Sequence, residues 1–222
     1  MIRPRYSLVA LAAILALVVG QAAAGAPTDQ LKGSIDTVVK ILDDPTLKTD
    51  GKVKDRKAAV RKVANDIFDF AETAKRSLAR HWLNRTDQER EEFIKLFGDL
   101  LERSYISKIS MYGGERISYV GESLDGNLAT VRSKIITKQG TEVPIEYRMH
   151  RRGERWLVYD VSIEGVSLIS NYRTQFNKII QTASYQDLVK KMKTKQEEFL
   201  FEEEAKTTRK PASESSAGSA PK

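Results

Sequence analysis

Cysteine and histidine, two of the side chains most used for nucleophilic, proton-transfer and metal-ligand chemistry, are scarce in this chain. Of its 222 residues none is cysteine and two are histidine, His81 and His150. A thiol nucleophile and a sulfur metal site are therefore excluded, because both need cysteine. His150 stands among charged residues in an alternating segment, which predicts a place on the solvated face of a sheet. Each histidine is interpreted as structural rather than as a ligand or base.

Two pairs of acidic residues are spaced closely enough to share a site. They are Asp66 with Asp69 and Asp160 with Glu164. General acid–base catalysis needs a second catalytic group beside such a pair, and the sequence offers none nearby, so both pairs are interpreted as solvated or helix-capping. The glycine-rich phosphate loop, the G-x-S-x-G elbow and the H-E-x-x-H zinc motif do not occur. The sequence predicts no enzyme, no catalytic residues, no cofactor and no metal site.

The segment "WLVYDVSIEGVSLISNYRTQFNKII" changes within ten residues from an apolar strand pattern to a helix pattern with polar residues. Its polar residues include Asn171, Arg173 and Gln175. Arginine suits bidentate contact with phosphate. The same three side chains would also clamp the turn from strand to helix, and for Asn171 this second interpretation is favoured.

Hydrophobic periodicity predicts the helices that position these residues. Apolar residues recur every three or four positions in six segments, which is typical of amphipathic helices. Thr86 and Glu89 have the spacing of a capping box, which marks the start of the clearest of them. The predicted helices span residues 29–42, 53–67, 69–82, 86–109, 167–183 and 184–192.

After "YGGE" the period changes to two, which predicts strands in "RISYVGES", "LATVRSKIITK", "EVPIEYRMHR" and "RWLVYDVSI". The glycine-centred loops "KQGTE" and "RRGER" predict hairpins between the last three. The alternation predicts one buried and one solvated sheet face. The predicted fold is α+β, with several helices on one face of a four-stranded or slightly larger antiparallel meander. Periodicity is compatible both with a dense core and with an enclosed apolar cavity.

The first 24 residues have the order of a secretory signal peptide. Arg3 and Arg5 precede an uncharged run of twelve residues, Leu8 to Val19, and small residues follow at 22–24. The run is shorter than the roughly 20 residues of a membrane span, although an uncleaved anchor is the alternative. Residues 25–201 are predicted to form a single domain and residues 202–222 a disordered tail, because the tail is poor in apolar residues.

The charge balance favours anionic partners only weakly. The formal net charge is +7, and loss of Arg3 and Arg5 with a signal peptide would leave +5. Basic and acidic residues alternate along the chain without an aromatic–basic patch, so nucleic acid is not a predicted partner. No feature predicts a stable oligomer, and a monomer outside the cytosol is expected.

Two long stretches resemble a known family. They are "IFDFAETAKRSLARHWLNRTDQEREEFIKLFGDLLERSYISKI" and "VPIEYRMHRRGERWLVYDVSIEGVSLISNYRTQFNKII". Both resemble the MlaC or toluene-tolerance family, the periplasmic phospholipid-binding components of an ABC transport system that maintains outer-membrane lipid asymmetry. The likeness runs from about Asp29 to Met192, and Ile169-Ser170 departs from the valine-led pair of the family. The most specific matches are Tyr159-Asp160-Val161, Gly165 to Leu168, Asn171-Tyr172-Arg173 and Phe176.

The resemblance implies a deep apolar cavity that holds acyl chains, with the lipid head group at its mouth. It also implies a shuttle between an outer-membrane lipoprotein complex and an inner-membrane ABC transporter with a membrane-anchored substrate-binding subunit. A diacyl lipid has roughly 30 methylenes, so exposing its tails to water would cost on the order of 24 kcal/mol. The chains must therefore travel dry, in a cavity near about 1,000 Å³.

The candidate lipid-binding residues come from the apolar sheet face and from the helices opposite it. Arg173 is the candidate for the mouth, and for every other candidate plain core is the alternative. The set is Phe97, Leu101, Tyr105, Val131, Ile135, Ile145, Tyr147, Met149, Tyr159, Val161, Val166, Leu168, Ile169, Tyr172, Arg173 and Phe176.

Two other kinds of protein fit the same elements. One is a small pocketed enzyme, or another hydrophobic-ligand domain of cone-like α+β fold; the enzyme would need a histidine or carboxylate inside its pocket. The other is an adaptor with a filled core that uses its charged faces for contacts.

Overall fold

The computed structural model describes residues 26–106, 109 and 112–194. The predicted signal peptide at 1–24 and the tail at 202–222 lie outside the described residues, and the predicted division into domains stays a prediction. Among the described residues, four α-helices with continuous bounds precede a sheet and two follow it. They are α1 (Ala26–Asp43), α2 (Val53–Ile67), α3 (Phe70–Leu78), α4 (Asp87–Leu101), β1 (Arg116–Asp125), β2 (Leu128–Ile136), β3 (Glu142–Arg152), β4 (Arg155–Ile163), β5 (Val166–Ser167), α5 (Leu168–Thr182) and α6 (Tyr185–Lys193).

The sheet is an antiparallel meander in the order β1-β2-β3-β4-β5, so the predicted α+β fold class is confirmed. Val131 lies opposite Tyr147, and Tyr147 lies opposite Val161. Side chains of cross-strand partners point to the same side. The odd-numbered residues of β2 and β3 therefore share one face, which we call the inner face, and the even-numbered ones form the outer face.

A β-bulge interrupts the pairing of β3 with β4. Arg148 pairs with Asp160 and Met149 with Val158, which leaves Tyr159 as the extra residue. An extra residue shifts the alternation of the strand by one position. As a result Val158 and Val161 both lie on the inner face although they are three residues apart.

Helix α1 covers one half of the inner face. Leu31 packs there with Ala129, Val131, Met149 and Val158. Polar contacts hold the helix in place at its start, where the Thr28 amide and hydroxyl donate to the Glu122 carboxylate at 2.9 and 2.5 Å. The Gln30 side-chain amide pairs with the main chain of Trp156 in β4. Its Nε2 donates to the Trp156 carbonyl at 2.5 Å, and its Oε1 accepts from the Trp156 N–H at 3.0 Å.

Helices α3 to α6 share a second, separate core. The rings of Phe93, Phe97, Tyr172 and Phe176 are almost completely buried there. Phe97 meets Tyr172 and Phe176 edge to face, with ring centroids 5.1 and 5.4 Å apart, an arrangement that aromatic rings favour. The predicted capping box of α4 is present, with Thr86 accepting from the Glu89 N–H.

The helix predicted at 69–82 ends earlier than its apolar pattern. The α-helix stops at Leu78, Ala79 has φ of 49°, and a 3₁₀ turn carries the chain to Trp82. A left-handed residue ends an α-helix because it breaks the regular hydrogen bonding. Trp82 still packs against the second core. The side chain therefore faces the core as its apolar spacing predicted, although its backbone is not α-helical.

Asp160 clamps the connection from β4 to α5. Its carboxylate is buried, accepts from the Ile169 N–H at 3.1 Å and accepts from the Ser167 hydroxyl at 2.7 Å. The Ser167 hydroxyl in turn accepts from the Ser170 N–H at 3.0 Å, as the cap of α5. The capping interpretation therefore fits Asp160, whereas Glu164 is exposed in the turn.

We expect Asp160→Ala to lower the free energy of unfolding by about 2–3 kcal/mol, because it leaves a buried amide and a hydroxyl without an acceptor. Urea unfolding of the lipid-free protein measures this change. Glu154→Ala is the control, since the Glu154 side chain is 93% exposed and its loss should change stability by less than about 0.5 kcal/mol. Equal stability of the two variants would contradict the clamp.

Candidate functional site

The inner face of the sheet brings six of the candidate residues together. Val131 and Met149 are fully buried beneath α1, and Ile145 is nearly so. Beyond them lie apolar side chains that remain half-buried. We call this part of the inner face the apolar region; it consists of Ile135, Val143, Tyr147, Val161 and Ile163.

Tyr147, at the centre of the inner face, has both a raised phenol pKa and a half-buried side chain. Burial raises the pKa of its phenol, and the nearby Ser133 hydroxyl opposes that rise. The two oxygens do not reach hydrogen-bond geometry, and the Tyr147 side chain as a whole is only half-buried. Loss of hydration disfavours the charged phenolate, so the phenol of Tyr147 is more shielded from water than the rest of its half-buried side chain.

Four candidates from the helices occupy the dense second core instead. Phe97, Ile169, Tyr172 and Phe176 are each at most 3% exposed and pack against one another or against neighbouring helices. Their positions fit the alternative interpretation, plain core, that the sequence left open. The half-buried Leu101 and Tyr105 pack against the border of this core, and Leu168 is half-buried at the start of α5.

The remaining three candidates lie outside the covered part of the inner face, although Val166 pairs with Ile163 and so points to the inner side at the edge of the sheet. Tyr159, displaced by the bulge, lies edge-on to His150 with the Arg76 guanidinium 4.0 Å from its ring centre. Val166 is 57% exposed. Arg173 is exposed, and its Nε donates to the Arg76 carbonyl at 3.0 Å. The predicted contact of Tyr159 with acyl chains does not fit this placement, because the bulge turns its ring to the outer side.

His150 is not the solvated residue that its sequence context predicts. Its side chain is 15% exposed and its Nε2 lies 3.0 Å from Asp69 Oδ2. The same carboxylate oxygen lies 2.9 Å from the Arg152 Nε, and Asp69 also caps α3 by accepting from the Glu72 N–H. Asp69 covers this part of the outer face, so His150 is held by a polar contact with a carboxylate that also pairs with Arg152.

A groove of about 310 Å³ lies on the outer face. It is open and lined by charged side chains, among them Arg132, Lys134, Glu146 and Arg148. The cations face carboxylates, as in the 3.3 Å contact of Arg132 with Glu146. The groove is far smaller than the roughly 1,000 Å³ that a diacyl lipid needs, so it does not compete with the apolar region as a lipid site.

Within the ranges that the structure describes, His, Asp and Glu side chains form no cluster of three or more that is suited to a metal ion. In the same ranges no helix has both the length and the apolar composition of a membrane span.

Sequence analysis missed two apolar residues and two hydroxyl groups of the inner face. Val143 and Ile163 follow the period of two and lie opposite Ile135 and Ile145, so the alternation could have found them. Ser133 and Tyr119 are cross-strand partners on the same face. A bulge between Tyr119 and Gly121 breaks the alternation of β1, which obscured Tyr119.

Three comparisons relate this chain to known proteins. A family model described as "MlaC protein" matches residues 32–194. The "Intermembrane phospholipid transport system binding protein MlaC" of Haemophilus influenzae is 26% identical over 138 residues, which are 59% of this chain and 64% of that protein. A phospholipid-binding protein from Ralstonia solanacearum, solved in complex with a phospholipid, superposes with a TM-score of 0.66 at 24% identity, covering 82% of this chain and 99% of that chain.

These matches differ in what they establish. The alignment spans just under two thirds of the H. influenzae protein, and the R. solanacearum structure, at 24% identity, establishes a shared fold. The family model covers well over half of the chain and includes every described helix and strand except the first turns of α1. The chain therefore belongs to the MlaC family.

Proposed function

We propose that this protein is a periplasmic phospholipid carrier that binds acyl chains against the apolar region of its sheet. The observation that carries the proposal is the half-buried state of Ile135, Tyr147 and Val161 in a face that is otherwise sealed by α1. A filled core would bury these side chains as completely as it buries Val131 and Met149. The family to which the chain belongs supports phospholipid as the ligand.

The wall of the proposed site is apolar because acyl chains offer no hydrogen bonds. Each methylene removed from water contributes about 0.8 kcal/mol, so a wall of branched and aromatic side chains is sufficient to hold the tails. Ile145 lies beside this wall in the register of β3. On the helical side, Leu101, Tyr105 and Leu168 are the candidates that the second core does not fully enclose. The protein performs no chemistry on the lipid in this proposal.

The proposed partners are an outer-membrane lipoprotein complex and an inner-membrane ABC transporter with its membrane-anchored substrate-binding subunit. Acyl chains are as stable in a bilayer as in an apolar pocket. The affinity of the carrier for lipid alone therefore does not determine the direction of lipid transfer. Transfer then depends on contact with partners whose own sites favour one state of the carrier over another. The H. influenzae relative is named as part of an intermembrane phospholipid transport system, which supports this assignment.

Extraction of the purified protein with organic solvent tests the proposal. We expect mass spectrometry to find co-purified glycerophospholipid in a roughly stoichiometric amount, because the tails leave the pocket for water only at high free-energy cost. An exported protein of similar size without an apolar pocket, purified in the same way, gives the background.

Absence of lipid from repeated detergent-free preparations would contradict the carrier function and favour an adaptor with a filled core. Recovery of a different hydrophobic molecule would instead favour another ligand-binding role for the same face.

A further inference from the structure

Three residues that carry hydroxyl groups occupy neighbouring positions on the otherwise apolar inner face. Tyr119 on β1 lies directly opposite Ser133 on β2. Tyr147 on β3 lies opposite Val131, which is two residues from Ser133 on the same face. Tyr147 also interacts with Tyr119 and with Ser133. The group spans three adjacent strands where the half sealed by α1 meets the apolar region.

Two of these hydroxyls lack a hydrogen-bond partner among the described residues. Ser133 is 1% exposed, and neither its Oγ nor the Tyr119 Oη donates or accepts a hydrogen bond there. Leaving a buried hydroxyl unpaired is unfavourable, so native proteins almost always provide a partner. Two such groups, side by side on a face that we assign to ligand binding, indicate that the partner is brought by the ligand.

The electrostatic surroundings select the kind of ligand atom. Burial raises the pKa of the Tyr119 phenol above its usual range, and the negative charge of Asp36 adds to the rise. Burial raises the pKa of Tyr147 as well. Both phenols therefore remain protonated donors at neutral pH. An apolar face disfavours an ionised ligand that gains no charged partner there, so a neutral acceptor such as a carbonyl oxygen fits better than a carboxylate.

We propose that Tyr119, Ser133 and Tyr147 form a hydrogen-bond donor site for the carbonyl oxygen of an ester-linked acyl chain. The inference rests on the proposed function and adds a chemical preference to it. The Tyr119 and Ser133 oxygens are shielded from solvent, so a bound carbonyl displaces the side-chain atoms that now cover them. Half-buried Tyr147 is the first donor that the ligand meets. The site makes the carrier selective for acyl over alkyl chains.

Competition between two lipids that differ only in the carbonyl oxygens of their chain linkages tests the inference. Lipid-free protein is mixed with equal amounts of dipalmitoyl phosphatidylethanolamine and its dihexadecyl ether analogue, and native mass spectrometry gives the ratio of the two complexes. We expect the wild type to favour the diester by about three- to tenfold, the value of one or two net hydrogen bonds. Ser133→Ala and Tyr119→Phe should each lower this ratio, and the double variant should bring it closest to one, because each substitution removes one donor and leaves the others.

Ser123→Ala is the matched control, because Ser123 is exposed and pairs with Thr130 on the outer face; it should keep the wild-type ratio. The ratio is internal to each sample, so a change in total binding does not affect it. Equal binding of both lipids by the wild type, or an unchanged ratio in both variants, would overturn the subsite while leaving the carrier function intact. Binding of neither lipid by the wild type would overturn both.

A third measurement distinguishes the ester carbonyl of a phospholipid from the carboxylate of a free fatty acid as the group that binds. Free palmitate offers a carboxylate, which loses hydration on an apolar face without gaining a charged partner, so its binding should not depend on Ser133 or Tyr119. If the two variants lost palmitate but kept the preference for the diester, the assignment to ester carbonyls would be wrong.

Discussion

Val161→Glu should purify with at least about tenfold less phospholipid than the wild type, because a carboxylate placed against acyl chains loses its hydration without gaining a partner. Val161 lies on the inner face of β4, opposite Tyr147, and is only half-buried. The fold can therefore accommodate the larger side chain at the border of the apolar region. The expected measurement is bound phospholipid per mole of protein, determined by extraction and mass spectrometry.

The same substitution on the other side of the sheet provides the control. Val120 is 53% exposed at the bulge of β1, so Val120→Glu adds the same charge to the protein without reaching the apolar region. It should keep its lipid. Circular dichroism confirms that both variants are folded. Full occupancy in Val161→Glu, or equal loss in both variants, would show that the tails bind elsewhere.

Phe97→Ala should lower the free energy of unfolding of the lipid-free protein by about 3–5 kcal/mol, the usual cost of removing a large ring from a dense core. Phe97 is completely buried and its ring contacts Phe93, Tyr172 and Phe176. Four rings in mutual contact leave little room for the structure to close the resulting cavity. Urea unfolding followed by circular dichroism gives the value.

Leu83→Ala is the comparison for this experiment, since Leu83 is 76% exposed and its truncation should change stability by no more than about 0.5 kcal/mol. The result also decides between two roles for Phe97. A variant that kept its stability but lost lipid would place Phe97 in the lipid-binding wall, as predicted from the sequence, and would contradict its assignment to the second core.

The sequence was sufficient to predict the elements and the sheet. Alternation in β2 and β3 placed Val131, Tyr147 and Met149 on one face, because a strand exposes every second side chain to the same side. The helical candidates could not be sorted in this way. Periodicity shows that Phe176 and Tyr172 lie on an apolar stripe, but a stripe that packs against other helices has the same pattern as one that borders a cavity.

Irregular backbone and distant contacts account for the other differences. The bulge at Tyr159 shifts the alternation of β4 by one position, and a strict period of two places this ring on the wrong side. His150 is covered by Asp69, 81 residues earlier in the chain. A local pattern of charged neighbours predicts solvent exposure there, since it carries no information about a contact made from so far away.

The attachment of α1 to the sheet affects how the chain reaches its native state during synthesis. The bonds that hold α1 join residues 94 and 126 positions apart, Thr28 with Glu122 and Gln30 with Trp156. A ribosome releases α1 long before either acceptor exists, and contacts of such high sequence separation form late. The apolar stripe around Leu31 is therefore exposed on the nascent chain until β4 has emerged, a stage at which unfolded chains aggregate or bind chaperones.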